Sequence, residues 1–336
     1  MHLLAIEPRK DNRIFARILN EPQENITRLV KEIQNATKRK LIMYVANFNH
    51  PMGGIHVTDV LPFEEILRTT ESDTADLLIN SPGGEINATE KLITMLRKSF
   101  KNVRVIVPNQ AKSAATLISL ASDQVIMGYL SELGPIDSQI SIPNPDGTVR
   151  QIPAQSVIDS IELLSQKISE EKKKGAPIEQ YVSMAFRIDP NIWDLAIKAQ
   201  KLTAQFAEKW LTQFMCKGNT KLAKEITHKF MDVKRFLSHG RMISVEDAQA
   251  MLPKDAVIQL QRNDPLWDLI WELYVRLEWR LNSERAVKIF GNEKVTFSVG
   301  AARPQPAQPQ RRRPVPPQPA PRRQAPPSPP SKTPTR

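Results

Sequence analysis

Acyl transfer needs a nucleophile, a base to take its proton, and donors aimed at the developing oxyanion. Ser113 follows a strand-like run and opens a helix-like one in Asn109-Gln110-Ala111-Lys112-Ser113-Ala114-Ala115. That placement sets its hydroxyl at the positive end of a helix macrodipole, among unpaired backbone amides. Ala111, Ala114 and Ala115 are small, as a tight strand-to-helix turn demands when it must present a side chain outward. A serine at such a point is equally a helix N-cap. Ser81-Pro82-Gly83-Gly84 is a second turn of this kind. Its Gly83 and Gly84 amides offer one half of an oxyanion hole, with the Ala114 amide as the other half. Two such turns at the carboxyl edge of one parallel sheet lie side by side, where open α/β folds bind ligands.

Other chemistries have less to work with. The chain holds no HExxH, GxxxxGK[ST] or GxGxxG pattern, and Gly53-Gly54 reads as a loop. His50 and His56 share that loop, either as ordinary histidines or as a pair of metal ligands. The single cysteine, Cys216, excludes an intrachain disulfide and a Cys-rich zinc site, and it reads as a packing residue. No cofactor and no metal are expected.

The elements that must carry these residues follow from periodicity. Ile26, Leu29, Val30 and Ile33 mark an amphipathic helix over 22–38, ahead of a strand at 41–45. A helix-like stretch runs from Pro62 to about residue 70, followed by a strand at 75–80, the glycine turn, and a helix carrying Ile86, Leu92, Ile93 and Leu96. The pattern repeats with a strand at 103–107, the Ser113 turn and a helix at 113–122. A third apolar run, 124–127, leads into Leu133-Gly134-Pro135-Ile136-Asp137. Strands alternating with helices predict an α/β layered domain with a mainly parallel sheet. From about 153 to 238 the chain reads as helices. A last helix, 265–282, is apolar over so broad a face, with Trp267, Trp271 and Tyr274 widening its leucine stripe, that it belongs in the core or in a subunit interface.

The 336 residues carry a net charge of +11, but residues 301–336 alone hold seven Arg, one Lys and no acid, with 13 of the 27 prolines. Such a segment cannot bury enough apolar area to order itself, so it is expected to be a disordered Pro/Arg-rich tail. It suits an anionic surface, nucleic acid, a groove for proline-rich peptides, or simple solubility. The other 300 residues hold 39 basic and 36 acidic side chains, an ordinary surface. No membrane span is expected, and the apolar run before Glu7 and Pro8 is too short for a signal peptide. The expected location is cytoplasmic.

The stretches LLINSPGGEINATEKL, VRVIVPNQAKSAATLISLASDQVIMG and LGPIDSQI, at their spacing over roughly 40–255, resemble the Clp-protease/crotonase fold. Within it the resemblance is to the serine dehydrogenase proteinase family, relatives of the Clp proteolytic subunit and of signal peptide peptidase A. Matching Asn109-Gln110-Ala111-Lys112-Ser113 to the Clp motif Gly-Gln-Ala-x-Ser implies Ser113 as nucleophile, with Gly83 and Ala114 supplying the oxyanion donors. The Clp histidine has no counterpart, since no His lies between 57 and 227. The family's Ser, Asp, His order is met by Ser113, Asp137 in Gly-Pro-Ile-Asp, and His239 ahead of a helix at 245–248. His239 would then be the base and Asp137 its orienter. His228 is a reserve base. A Ser-Lys dyad, as in signal peptide peptidase A, would use Lys167, while Lys112 is expected to point away from the serine.

The resemblance implies a serine hydrolase, a peptidase that cleaves peptide bonds through an acyl-enzyme. The alternatives are a non-proteolytic acyl hydrolase and a scaffold of the same fold that has lost turnover. It also implies a peptide or protein substrate, a homo-oligomer, and a separate ATPase or docking partner. The expected organisation is an N-terminal extension and helix (1–38), a Clp/crotonase-like hydrolase domain (39–255), a helical C-terminal segment (256–300) and the tail (301–336).

Overall fold

The computed structural model describes residues 25–144 and 146–300. The expected tail and most of the N-terminal extension lie outside the described residues. Helix α1 (Asn25–Thr37) leads into β1 (Lys40–Ala46), and a 3-10 turn at Val57–Asp59 into α2 (Val60–Arg68). Next come β2 (Thr74–Asn80), α3 (Ile86–Ser99), β3 (Asn102–Val107), β4 (Gln110–Ala111), α4 (Ala114–Leu120), β5 (Gln124–Gly128) and β6 (Glu132–Leu133). A hairpin of β7 (Gln139–Pro143) and β8 (Val149–Pro153) precedes α5 (Ala154–Lys173), α6 (Glu179–Ala185), α7 (Pro190–Gln213), α8 (Thr220–Met231), α9 (Val233–Phe236) and α10 (Val245–Met251). The described chain ends with β9 (Val257–Leu260), α11 (Pro265–Ser283), β10 (Ala286–Gly291) and β11 (Thr296–Gly300).

Seven strands form the main sheet in the order β11-β10-β1-β2-β3-β5-β9, parallel from β1 to β9, with β10 and β11 antiparallel at one edge. Side chains alternate between the faces of a strand, and in β1 both sets are buried. Leu41, Met43 and Val45 face a layer made by α1 and α11, where Leu29, Ile33, Leu273 and Leu277 meet Leu78, Ile106 and Ile126. Ile42, Tyr44 and Ala46 face the opposite layer, packed against Phe63 of α2, Leu92 and Ile93 of α3, and Ile118 of α4. A sheet covered on both faces explains why its strands read as short continuous apolar runs. The expected α/β architecture with a mainly parallel sheet is the observed one.

Two expectations change. Residues 256–300, read as helical, supply three of the seven strands besides α11, so a boundary at 255/256 would cut through the sheet. Of the two places expected for the broad apolar face of α11, the core is the one observed: it is buried against α1 and the sheet. The β7–β8 hairpin falls where no element was expected. Among the described residues no helix is long and apolar enough to cross a membrane.

Candidate active site

β2 and β3 end side by side, and each runs into one of the two turns. Backbone bonds then stitch four distant segments together. The Ser81 N–H donates to the Gln110 carbonyl at 3.0 Å, and the Lys112 N–H returns to the Ser81 carbonyl at 3.0 Å. β4 pairs with β6, and Leu133 of β6 exchanges two 3.0 Å bonds with Ile243. The ladder holds the glycine turn, the Ser113 turn, the segment leading to Asp137 and the loop carrying His239 in one place.

Two asparagines, one at the end of β2 and one beyond β3, lock the turns from behind. Asn80 is fully buried; its Oδ1 accepts from the Gln110 N–H at 3.0 Å and its Nδ2 donates to Glu278 of α11 at 3.1 Å. Asn109 Nδ2 donates to the Tyr274 hydroxyl, also on α11, at 2.9 Å. Burial pushes the pKa of both Glu278 and Tyr274 up. Sequence reasoning missed these supports, although an asparagine close to the carboxyl end of two neighbouring strands was a visible sign.

Ser113 occupies the N-cap position of α4 but makes no capping hydrogen bond there. Its backbone stands at φ 50° and ψ −115°, left-handed for a non-glycine residue. Such a conformation costs about 1–3 kcal/mol and persists only where the surroundings impose it. Gly83 makes the fit possible: at φ +97°, a Cβ there would lie 2.8 Å from Ser113 Cβ and 2.7 Å from the Lys112 carbonyl. Gly84, at φ +150°, lies against Ile55, whose N–H donates to the Gly83 carbonyl at 2.6 Å.

The Gly83 amide donates back to Ser81 Oγ at 3.2 Å. Among the described residues, the Gly84 and Ala114 amides have no acceptor, and both residues line a cavity of about 700 Å³. Ser113, Asp137 and His239 line the same cavity, and Gly83 does not.

His239 Nδ1 lies 2.8 Å from Asp137 Oδ1. The aspartate side chain is 3% exposed and its second oxygen accepts from Gln139 Nε2 at 2.8 Å. A neutral imidazole donating from Nδ1 to this carboxylate keeps the Nε2 lone pair available as a base. His239 itself is 29% exposed, on the cavity wall. Among the described residues no hydrogen bond joins it directly to Ser113.

The alternative bases stand elsewhere. Lys167 is 44% exposed and paired with Glu170 at 3.0 Å, which holds its ammonium above the ordinary lysine range, the reverse of what a lysine base needs. It does not line the cavity, and neither does the exposed His228. Lys112 turns to Glu132 at 3.1 Å. His50 and His56 accept backbone N–H bonds within their own turns, from Met52 and Thr58. Among the described residues no cluster of His, Cys, Asp and Glu could hold a metal ion. Cys216 is buried, and burial pushes its thiol up.

The profile of the ClpP-like SDH-type serine proteinases matches residues 23–251. The chain belongs to this family. It is the family that the motifs resemble, and the match spans the glycine turn, the Ser113 turn, Asp137 and His239. Two uncharacterized proteins of Methanocaldococcus jannaschii are 36% identical over 112 residues and 37% identical over 103 residues. Those stretches cover 32% and 30% of this chain but 35% and 33% of the relatives, so the chain spans about a third of the curated relatives it matches. Among solved structures, a ClpP1 mutant from Listeria monocytogenes is similar at 15% identity, covering 70% of this chain and 97% of that one, with a TM-score of 0.34. An enoyl-CoA hydratase from Shewanella pealeana is similar at 11% identity, covering 73% and 78%, with a TM-score of 0.32. A membrane-bound stomatin-specific protease in complex with a substrate peptide is similar at 17% identity, covering 69% and 99%, with a TM-score of 0.27.

Proposed function

We propose that the chain is a serine peptidase with Ser113 as nucleophile, His239 as general base and Asp137 as the group that orients the imidazole. The observation that carries this reading is the 2.8 Å contact of His239 Nδ1 with buried Asp137, in the cavity that also receives Ser113 from a left-handed backbone. His239 Nε2 takes the Ser113 proton as Oγ attacks the scissile carbonyl. The Gly84 and Ala114 amides receive the oxyanion, in place of the Gly83 and Ala114 pair that the Clp motif implies, because the Gly83 amide is bonded within its own turn. The protonated imidazole then hands its proton to the leaving amine, and water hydrolyses the acyl-enzyme by the same route. Charge on the imidazolium is stabilised by Asp137, which does not itself take a proton. The proposal includes peptide or protein substrates, assembly into a homo-oligomer, and a separate ATPase wherever folded proteins must be fed to the site.

The test is labelling of the purified protein with a fluorophosphonate, with mapping of the modified residue in the parent and in Ser113→Ala, His239→Ala and Lys167→Ala. Labelling at Ser113, lost in His239→Ala and kept in Lys167→Ala, is the expected pattern. Loss in Lys167→Ala with retention in His239→Ala would move the base to the lysine. A folded parent that takes no label from any phosphonate and cleaves no peptide would favour the scaffold reading.

A further inference from the structure

Four ionisable side chains line the cavity: His56, Glu85, Asp137 and His239. Lysine and arginine are absent from its described lining. Both oxygens of Asp137 are engaged, by His239 and Gln139. Glu85 is therefore the carboxylate left to meet a ligand.

Its position in the fold is unusual for its type. Glu85 is the N-cap of α3, a place that favours the short side chains of Ser, Thr, Asp and Asn because they reach back to the first free amides. Glu85 makes no such bond. Its side chain, 55% exposed, reaches His56, with Oε1 3.3 Å from Nε2. His56 Nδ1 faces the Thr58 N–H at 3.3 Å and the Thr58 hydroxyl at 3.1 Å, so its pair with Glu85 is a single long contact from a half-exposed ring. Among the described residues no lysine or arginine pairs with this carboxylate at the cavity wall. The neighbouring wall is apolar, with Met52, Ile55, Ile86 and Leu117.

We infer that Glu85 is a specificity-determining residue that selects peptides with a lysine or arginine close to the scissile bond, beside an apolar residue. This deepens the peptidase reading and rests on it for the location of the scissile bond. Glu85 directly follows Gly84, whose amide faces the reacting carbonyl in that reading. An extended peptide advances about 3.3–3.6 Å per residue, so the carboxylate meets a side chain roughly two residues from the bond cut. The attraction acts across a half-exposed pair, which sets its size at about fivefold in affinity and makes it sensitive to salt.

The experiment measures peptide binding separately from chemistry. Fluorescent hexapeptides of one apolar frame, carrying lysine, norleucine or glutamate at a position flanking the central bond, are titrated into Ser113→Ala protein by anisotropy. The lysine peptide should bind about fivefold tighter than the norleucine peptide, and the glutamate peptide weakest. The preference should shrink in high salt, vanish in Ser113→Ala/Glu85→Gln, and reverse in Ser113→Ala/Glu85→Lys. The melting temperature of Ser113→Ala/Glu85→Gln should stay close to that of Ser113→Ala, because the side chain does not cap α3, while Ser113→Ala/Glu85→Lys, with a cation at a helix N-terminus, should melt slightly lower. Equal binding of the lysine and norleucine peptides, no binding of any peptide, or a lysine preference that survives Glu85→Gln would overturn the inference. Fluorophosphonate labelling of the parent separates the two claims. Labelling at Ser113 without a lysine preference leaves the peptidase standing and removes the selectivity, whereas a preference in a parent that neither labels nor cleaves removes the peptidase and leaves Glu85 as a determinant of peptide binding alone.

Discussion

The bond between His239 and Asp137 spans 102 residues of sequence, and its value lies in which nitrogen it occupies. Replacing Asp137 with asparagine keeps the shape but lets the side-chain amide donate to Nδ1. The ring proton then moves to Nε2, the atom that acts as the base in the proposed mechanism. Asp137→Asn should lower kcat by about 10⁴ with little change in KM, measured on a cleaved peptide, and should leave the melting temperature near that of the parent. Gly83→Ala tests the other side of the site. Its Cβ would meet the Lys112 carbonyl at 2.7 Å in a backbone region alanine rarely adopts, so we expect a loss of about 1–3 kcal/mol in urea unfolding together with lost Ser113 labelling. At this scale the sequence was most legible where residue type is forced. The paired glycines and the small flanks of Ser113 announce their turns. His239 stands out only through resemblance, because a loop histidine next to glycine has no local pattern to distinguish it. Lys167 shows the converse, since a lysine on a helix gives no sign of which way it points.

The elements do their positioning from behind the site. α11 lies on the face of the sheet opposite α3 and α4, yet its Tyr274 and Glu278 fix the two asparagines that hold the turns in register. Glu278 bears the cost of that placement, because burial raises its pKa and disfavours the charged form. A carboxyl whose folded pKa lies above its unfolded value contributes stability below the ordinary carboxylate range and loses it as pH rises through the folded value. Glu278→Gln retains an oxygen for Asn80 and removes the charge. Its stability relative to the parent should therefore improve as pH rises from acidic to neutral, as paired urea titrations at several pH values would show. Flat relative stability across that range would contradict this account. The parallel strands were readable because each is an apolar run followed by a turn. β9 was not, because its four residues have no turn signal and pair with β5 far away in sequence; β10 and β11 form a hairpin about Gly291-Asn292, a local signal that the helical reading of 256–300 passed over.

Across the described residues, β1 and β10 are both tied to the loop ahead of α2. Lys288 of β10 is buried, and its Nζ donates to Asp59 at 2.7 and 2.8 Å and to the Gly54 carbonyl at 2.6 Å. Asp59 also accepts from the Tyr44 hydroxyl and the His56 N–H. Through Gly54 and Ile55 this cluster holds the strand segment against which the glycine turn lies. Removing the cation leaves a buried carboxylate uncompensated, so Lys288→Met should cost about 3–5 kcal/mol in denaturant unfolding. A loss below 1 kcal/mol would mean that water reaches Asp59.

Lys288 is 229 residues downstream of Asp59, and synthesis runs in that direction. A growing chain can form the turns, the nucleophile and even the imidazole before the cation that settles the loop has been made. On the peptidase reading, the cleft would therefore be completed only once nearly all of residues 25–300 has been translated, which would keep a nascent copy from cutting other half-made proteins.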